Sequence, residues 1–476
     1  MSSSPSKVPR LPRPRPITGL PGAMCILLLA ATGLPAAARA EPVRTASMVT
    51  LPQPADKTEF VALWRDLAGA SLANLVARGL GANPELEIAL ARLDGARARL
   101  RAAGARLSPS MNLGLTGQEA LAGPVSLPRQ SSRGANAGLT LAYEVDLFGA
   151  LRKARGSASE RVVAAGFERD AVTLALACDI SRLAIATSAS EAQLRNIDEQ
   201  LALTRELARM IERRSAEREA GTVERGLVVQ QLSALESERA RLAGQRGAQL
   251  AGLALLLGED ATVPALPDAA LPAFETLTLR PLATQQPFTR LGARPDVAAA
   301  RAALRAADLD AEALDASRMP ALRLSAGGIL GLVGGAVSSL ASLAADLSAN
   351  LFEGGAIEAR SGAARALARE ARASYDLVRL TASSEAVSAL AALEAASARE
   401  ASWIAAAGSV GSAAETARLA YLDGDMPFNL VIETRRNAIT AKSALVEARS
   451  ARLLAQLDVV RAMGGRPLRA DDTGQW

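Results

Sequence analysis

The chain has 476 residues, nearly half of them hydrophobic (49%), but only 3% are aromatic and none is His. Its apolar content is mostly Ala and Leu, which suits long helices rather than a bulky globular core, and the lack of His removes the commonest general base and a frequent metal ligand. No phosphate-binding loop or paired-carboxylate motif is present, so enzymatic chemistry, a cofactor and a bound metal are not expected.

Residues 1–40 read as a Sec-type signal peptide. Lys7, Arg10, Arg13 and Arg15 precede the apolar run from Ile26 to Leu34. Ala38-Arg39-Ala40 then places small residues at both key positions before an expected cleavage at Glu41. The run is shorter than the about 20 apolar residues of a membrane-spanning helix, though an uncleaved anchor is the alternative. This leader holds five of the 54 Lys and Arg residues and no acid, leaving 49 bases against the 49 acids of the chain. A neutral mature protein lacks the clustered basic face that nucleic-acid binding needs. Cys25 lies in the leader after Met24, where a lipid-attachment signal needs a small residue. Cys178, in the apolar stretch Leu174-Ala-Leu-Ala-Cys-Asp, is therefore alone and predicts helix packing.

Beyond residue 75 the chain is written twice. Leu80-Gly-Ala-Asn-Pro84-Glu-Leu86 is echoed by Leu291-Gly-Ala-Arg-Pro295-Asp-Val297, and Pro109, Leu113 and Gly117 by Pro320, Leu324 and Gly328. Asp146-Leu-Phe148 then pairs with Asn350-Leu-Phe352, and Gly221 with Gly424. In each copy a helix opens at the Pro and runs to about residue 107 or 318. Two strands follow. Leu139, Leu141, Tyr143, Val145 and Leu147 alternate with polar or small residues, as do Leu343, Ala345, Leu347, Ala349 and Leu351. Period two with one greasy and one polar face fits a strand between lipid and a wet lumen; a half-buried soluble sheet reads the same for one strand alone.

Very long helices come next, because no Pro occurs in 129–263 or 321–426. They are expected from about Leu151 to Glu219 and from about Ala356 to Leu422, each followed by a return helix past the breakers Gly221 and Gly424. The second return helix carries a strict heptad, Ile432, Ile439, Val446, Leu453 and Val460, which implies a left-handed coiled-coil seam. The positions four residues on, Arg436, Ser443, Ser450 and Leu457, are too polar for a two-stranded zipper.

These features resemble the TolC-like outer-membrane efflux proteins, in their OprM/NodT-type subgroup. The residues that carry the resemblance are Asn83-Pro84-Glu85-Leu86, Tyr143-Glu144-Val145-Asp146-Leu147-Phe148-Gly149, Arg294-Pro295-Asp296-Val297, Asn350-Leu351-Phe352 and the end Val460-Arg-Ala-Met-Gly464-Gly465. The resemblance implies a mainly α chain whose four strands join a shared 12-stranded barrel in a homotrimer, above a coiled-coil tunnel in the periplasm. It divides the chain into a signal peptide (1–40), an N-terminal equatorial segment (41–75), a first repeat (76–257), an equatorial segment (258–290), a second repeat (291–465) and a tail (466–476). It implies an outer-membrane channel of a tripartite, RND-type efflux system, exporting small molecules such as drugs or metal ions. Its partners would be outer-membrane lipid, a periplasmic adaptor and an inner-membrane RND or ABC pump. A type I protein-secretion duct and a periplasmic adaptor are the alternatives. By the same resemblance Gly221, Thr222, Gly424 and Asp425 form adaptor-docking tips, although such glycines can also be turns and nothing more. Arg418 and Tyr421 match tip constriction residues, and Glu433 matches one of two acidic positions at the closed entrance. Leu430 stands at the other, a departure from a two-tier acidic gate.

Overall fold

A computed structural model describes residues 57–122, 130–216, 222–260, 271–280, 288–333, 336–350, 352–423 and 425–465. The leader, the chain around it to residue 56 and the tail from 466 lie outside the described residues. Helix α1 (Lys57–Ala82) leads into α2 (Pro84–Ala105), strands β1 (Ser110–Ala122) and β2 (Gln130–Val145), and helices α3 (Ala150–Ala216) and α4 (Thr222–Leu256). The second copy repeats the order as α5 (Pro295–Ala316), β3 (Ala321–Val333), β4 (Ala336–Ser348), α6 (Ala356–Leu422) and α7 (Phe428–Ala462).

The duplication is reproduced in the element lengths. Helices α3 and α6 each have 67 residues and α4 and α7 each have 35. At 1.5 Å per residue the longer helices extend about 100 Å, as the Pro-free stretches predict. The strands end sooner than the sequence alternation suggests, at Val145 and Ser348. In the first copy the reason is Asp146, whose carboxylate accepts hydrogen bonds from the N–H groups of Leu151 (3.1 Å) and Arg152 (3.0 Å) at the start of α3. A residue capping the next helix cannot extend the ladder. In the second copy Leu351 lies outside the described residues.

All four strands form one antiparallel sheet in the order β1-β2-β3-β4. Among the helices, α2 packs on α3, α3 on α5 and α5 on α6, while α4 packs against α3 and α7 against both α3 and α6. The main core lies where α1 crosses α3. Trp64, fully buried, donates from Nε1 to Ser181 Oγ (3.0 Å) and packs among Leu72, Val76, Ile180, Leu253 and Leu453. The stretch between the repeats is tied to both. Ser188 of α3 donates to Pro272 O (2.9 Å), and Arg449 of α7 donates to the carbonyls of Glu275 and Leu277 (both 3.1 Å).

Candidate functional site

The sheet has two chemically distinct faces, set by register. Met111, Leu141, Ala326 and Leu343 form one cross-strand row, and Leu113, Leu139, Gly328 and Ala341 the next. Most of these large side chains are exposed in the single chain, Leu343 to 85%. The opposite face carries Asn112, Thr140, Gly327 and Ser342 in register, then Glu144, Arg323 and Asp346 nearer the helices. Arg323 stands 3.8 Å from Glu144. Ile329 and Leu340, paired with each other, are apolar exceptions on the polar side. Strands with one face for hydrocarbon and one for water are what a barrel wall requires.

Helix ends are stapled at matching places in the two repeats, at residues that the sequence marks as a motif without revealing their role. Asn83 caps α2 by accepting from Glu85 N (2.8 Å), and its amide donates to Leu256 O at the end of α4 (2.9 Å). Arg294 occupies the same position before Pro295. It donates to Ala462 O at the end of α7 (3.1 Å), to both Asp296 oxygens (3.0 and 2.7 Å) and to Glu385 on α6 (2.8 Å). Burial pushes the Asp296 carboxyl up, but the Arg294 guanidinium outweighs it and holds the group below the ordinary carboxylate range.

The heptad of α7 faces α3. Ile432 and Ile439 bury against Leu203, and Leu453 and Val460 join the main core. Polar pairs flank the seam along its length: Asp458 with Arg182, Asp179 with Arg461 (3.7 Å), Glu447 with Gln193 (3.4 Å), Ser443 with Asn196 (3.2 Å) and Glu199 with Lys442 (3.7 Å). Arg436 reaches Gln231 of α4 (3.3 Å). The polar heptad positions thus meet several neighbours rather than one zipper partner. Partners separated by some 250 residues leave no local sequence signal.

Of the predicted tip and entrance residues, Arg418, Tyr421, Asp425 and Glu433 fall at one end of the α6–α7 hairpin. Gly221 and Gly424 lie outside the described residues. Thr222 opens α4, and its side chain also lies outside them. Asp425 is exposed, and its N–H closes the turn on Ala420 O (2.9 Å). Arg418, Tyr421 and Glu433 are all exposed and sit within about 8 Å of the hairpin end along the helix axes. Arg418 is engaged by both oxygens of Glu415, three residues back (2.7 and 2.9 Å). Glu433 has no ion pair among the described residues. Leu430 is 38% exposed beside it. No group of three His, Cys, Asp or Glu is placed to hold a metal among the described residues.

A family model described as outer membrane efflux protein matches residues 75–259 and 289–465, both repeats. The chain is 30% identical over 434 residues to the pyoverdine export outer membrane protein OpmQ of Pseudomonas aeruginosa, covering 86% of this chain and 88% of that protein. It is 27% identical over 414 residues to the outer membrane protein OprJ of the same species, covering 84% and 86% respectively. Its fold matches the crystal structure of the CmeC outer membrane channel of Campylobacter jejuni with a TM-score of 0.74 at 19% identity, over 87% of this chain and 89% of that one. Two repeats, a two-faced four-stranded sheet and paired long helices coincide with a family match across both halves, and the chain belongs to the outer membrane efflux protein family, the outer-membrane channels of efflux systems.

Proposed function

We propose that three copies assemble into one duct, their twelve strands closing a barrel in the outer membrane and their long helices forming a periplasmic tunnel. The observation that carries this reading is the open sheet. Strands β1 and β4 are its two ends, each paired on one side only among the described residues. Unpaired backbone edges are not tolerated in hydrocarbon, and four strands are too few to enclose a lumen. The duct serves a tripartite, RND-type system and carries small molecules such as drugs or metal ions. Gly221, Thr222, Gly424 and Asp425 form the tips on which a periplasmic adaptor docks, and Arg418, Tyr421 and Glu433 line the entrance. Three Glu433 carboxylates around a narrow pore would repel one another and select cations.

Light scattering on the detergent-solubilised protein tests the assembly. A particle of three chains is expected, and a monodisperse monomer refutes the duct. Large side chains placed at Gly221 and Gly424 test docking. Trimers of normal yield that lose adaptor cross-linking and efflux support it, whereas unchanged efflux in the double variant moves the docking site elsewhere.

A further inference from the structure

A cavity of about 1020 Å³ lies at the helical ends of β2 and β3, bounded by α2, α3, α5 and α6. Glu144 and Ala321, on the polar face of the sheet that the proposed barrel turns to its lumen, line it together with Val145 at the strand end. Arg92, Arg99 and Arg106 project into it from α2. Their seven-residue spacing keeps them on one stripe at steps of about 10.5 Å, and Arg106, the C-cap, retains helical backbone angles. All three are exposed, and none has an ion pair or a side-chain hydrogen bond among the described residues.

The other charges in this wall are spoken for or distant. Arg161 is paired with Asp310, Asp146 with Arg152 and Glu144 with Arg323. Two free carboxylates remain, Glu168 and Glu370. They lie about 27 Å along α3 and about 21 Å along α6 from the strand end. Arg99 and Arg106 lie within about 10 Å of that end, more than a Debye length from either acid at physiological salt. Their field there is not cancelled.

We propose that this arginine stripe is a binding track for the anionic groups of the exported molecule, which narrows the broader cargo range above to a preference for small molecules bearing carboxylate, phosphate or sulfonate groups. The inference rests on the trimeric-duct reading, which would gather six such uncompensated guanidiniums around one passage, with the three Arg92 groups deeper, about level with Glu370. Guanidinium forks match planar and tetrahedral oxyanions bidentately, and their spacing lets an anion pass from one to the next. Glu433, at the far end of α6 and α7, acts on a separate stage of the passage.

The test uses the full protein in planar lipid bilayers, with citrate as the probe anion. Citrate is expected to reduce the potassium chloride current of the native channel. The triple variant R92Q/R99Q/R106Q should need at least fivefold more citrate and show a lower chloride-to-potassium permeability ratio. The corresponding Lys variant should keep most of the effect, and R97Q, at an α2 position outside the cavity where Arg97 pairs with Asp94, should leave citrate sensitivity intact. Unchanged citrate sensitivity in a correctly assembled Gln triple overturns the proposal. If that triple fails to assemble, the single variants R99Q and R106Q, at exposed positions, carry the same comparison. A native protein that forms no pores counts against the duct reading instead. Calorimetry of citrate with the solubilised protein then decides the stripe: arginine-dependent heat supports it, and absent or arginine-independent heat overturns it.

Discussion

Replacing Gly258 with Ala should be among the most damaging single-methyl additions in the chain. Gly258 ends α4 in the left-handed region (φ 72°), with its N–H on Leu255 O (3.0 Å) and the next N–H on Ala254 O (2.9 Å). A Cβ there would lie 2.4 Å from Ala82 O and 2.8 Å from Ala82 C. These are backbone atoms at the end of α1, held by the Asn83 N–H on Gly79 O (2.8 Å), so they cannot swing aside as a side chain would. Left-handed strain costs about 1–2 kcal/mol for a residue with a Cβ, and forced displacement of packed backbone adds about 1–3 kcal/mol. Gly355, which caps α6 with φ 86° and ψ 3°, has nothing within 4 Å of the position a Cβ would take and isolates the strain alone. The loss of helical circular dichroism on heating in detergent, at one scan rate, should therefore come earliest for Gly258→Ala, then Gly355→Ala, then the native protein. Equal midpoints for the two variants would refute the assigned backbone clash.

Arg294→Met should destabilise the second repeat by on the order of 2 kcal/mol, below the usual cost of breaking a buried pair because Asp296 and Glu385 are 42% and 53% exposed; Asn83→Ala should cost about 1 kcal/mol through loss of its cap, and denaturant midpoints check the order. Because Asp296 and Asp146 are held below their ordinary range in the folded chain, their contribution is present above about pH 4 and is lost as pH falls through the depressed folded values. Thermal midpoints followed downward from pH 6 should fall less steeply in D296N than in the native protein. Burial pushes the Cys178 thiol up to about 12, so maleimide at pH 7 should label it only after unfolding, and rapid labelling of the native protein would contradict its placement. Leu343→Arg, on the apolar sheet face, should lower membrane insertion by about 2–4 kcal/mol per site at mid-bilayer, whereas Ser342→Arg on the polar face should insert normally; fractionation of outer membranes measures both.

Much of this fold is legible because it is periodic. Alternation at Leu139–Val145 and Leu343–Leu347 marks strands, Pro84 and Pro295 open helices at their first turn, and the absence of Pro after residue 128 or 320 permits 67-residue rods. Helix α1 is less legible, because Gly69 turns the backbone within it (φ 81°, ψ 170°) and divides its pattern into two short pieces. The site is harder still. That Arg418 would be held by Glu415 follows from their spacing of three, but Arg294 meeting both Glu385 and Ala462 does not, since those contacts span 91 and 168 residues. The seam of α7 is visible in the sequence from one side only, as a heptad with polar gaps whose partners, Asn196 on α3 and Gln231 on α4, no local rule can supply.

The exposed apolar surface of the chain divides into two parts that need different covers. On the sheet, Met111, Leu113, Leu139 and Leu343 present a face that hydrocarbon satisfies. On α6, Leu377, Leu380 and Val387 are each more than half exposed and lie on one side of the helix. They belong to no strand, and lipid therefore gives no account of them. Fully burying such a side chain contributes about 1.5–3 kcal/mol, so completing the burial of three half-exposed ones contributes on the order of 3 kcal/mol per chain. A patch of this kind in water calls for a protein surface, and in the proposed trimer a neighbouring copy supplies that cover and also pairs the free edges of β1 and β4. The helical and strand portions of the chain thus call independently for the same neighbour, one through apolar area and the other through unpaired backbone.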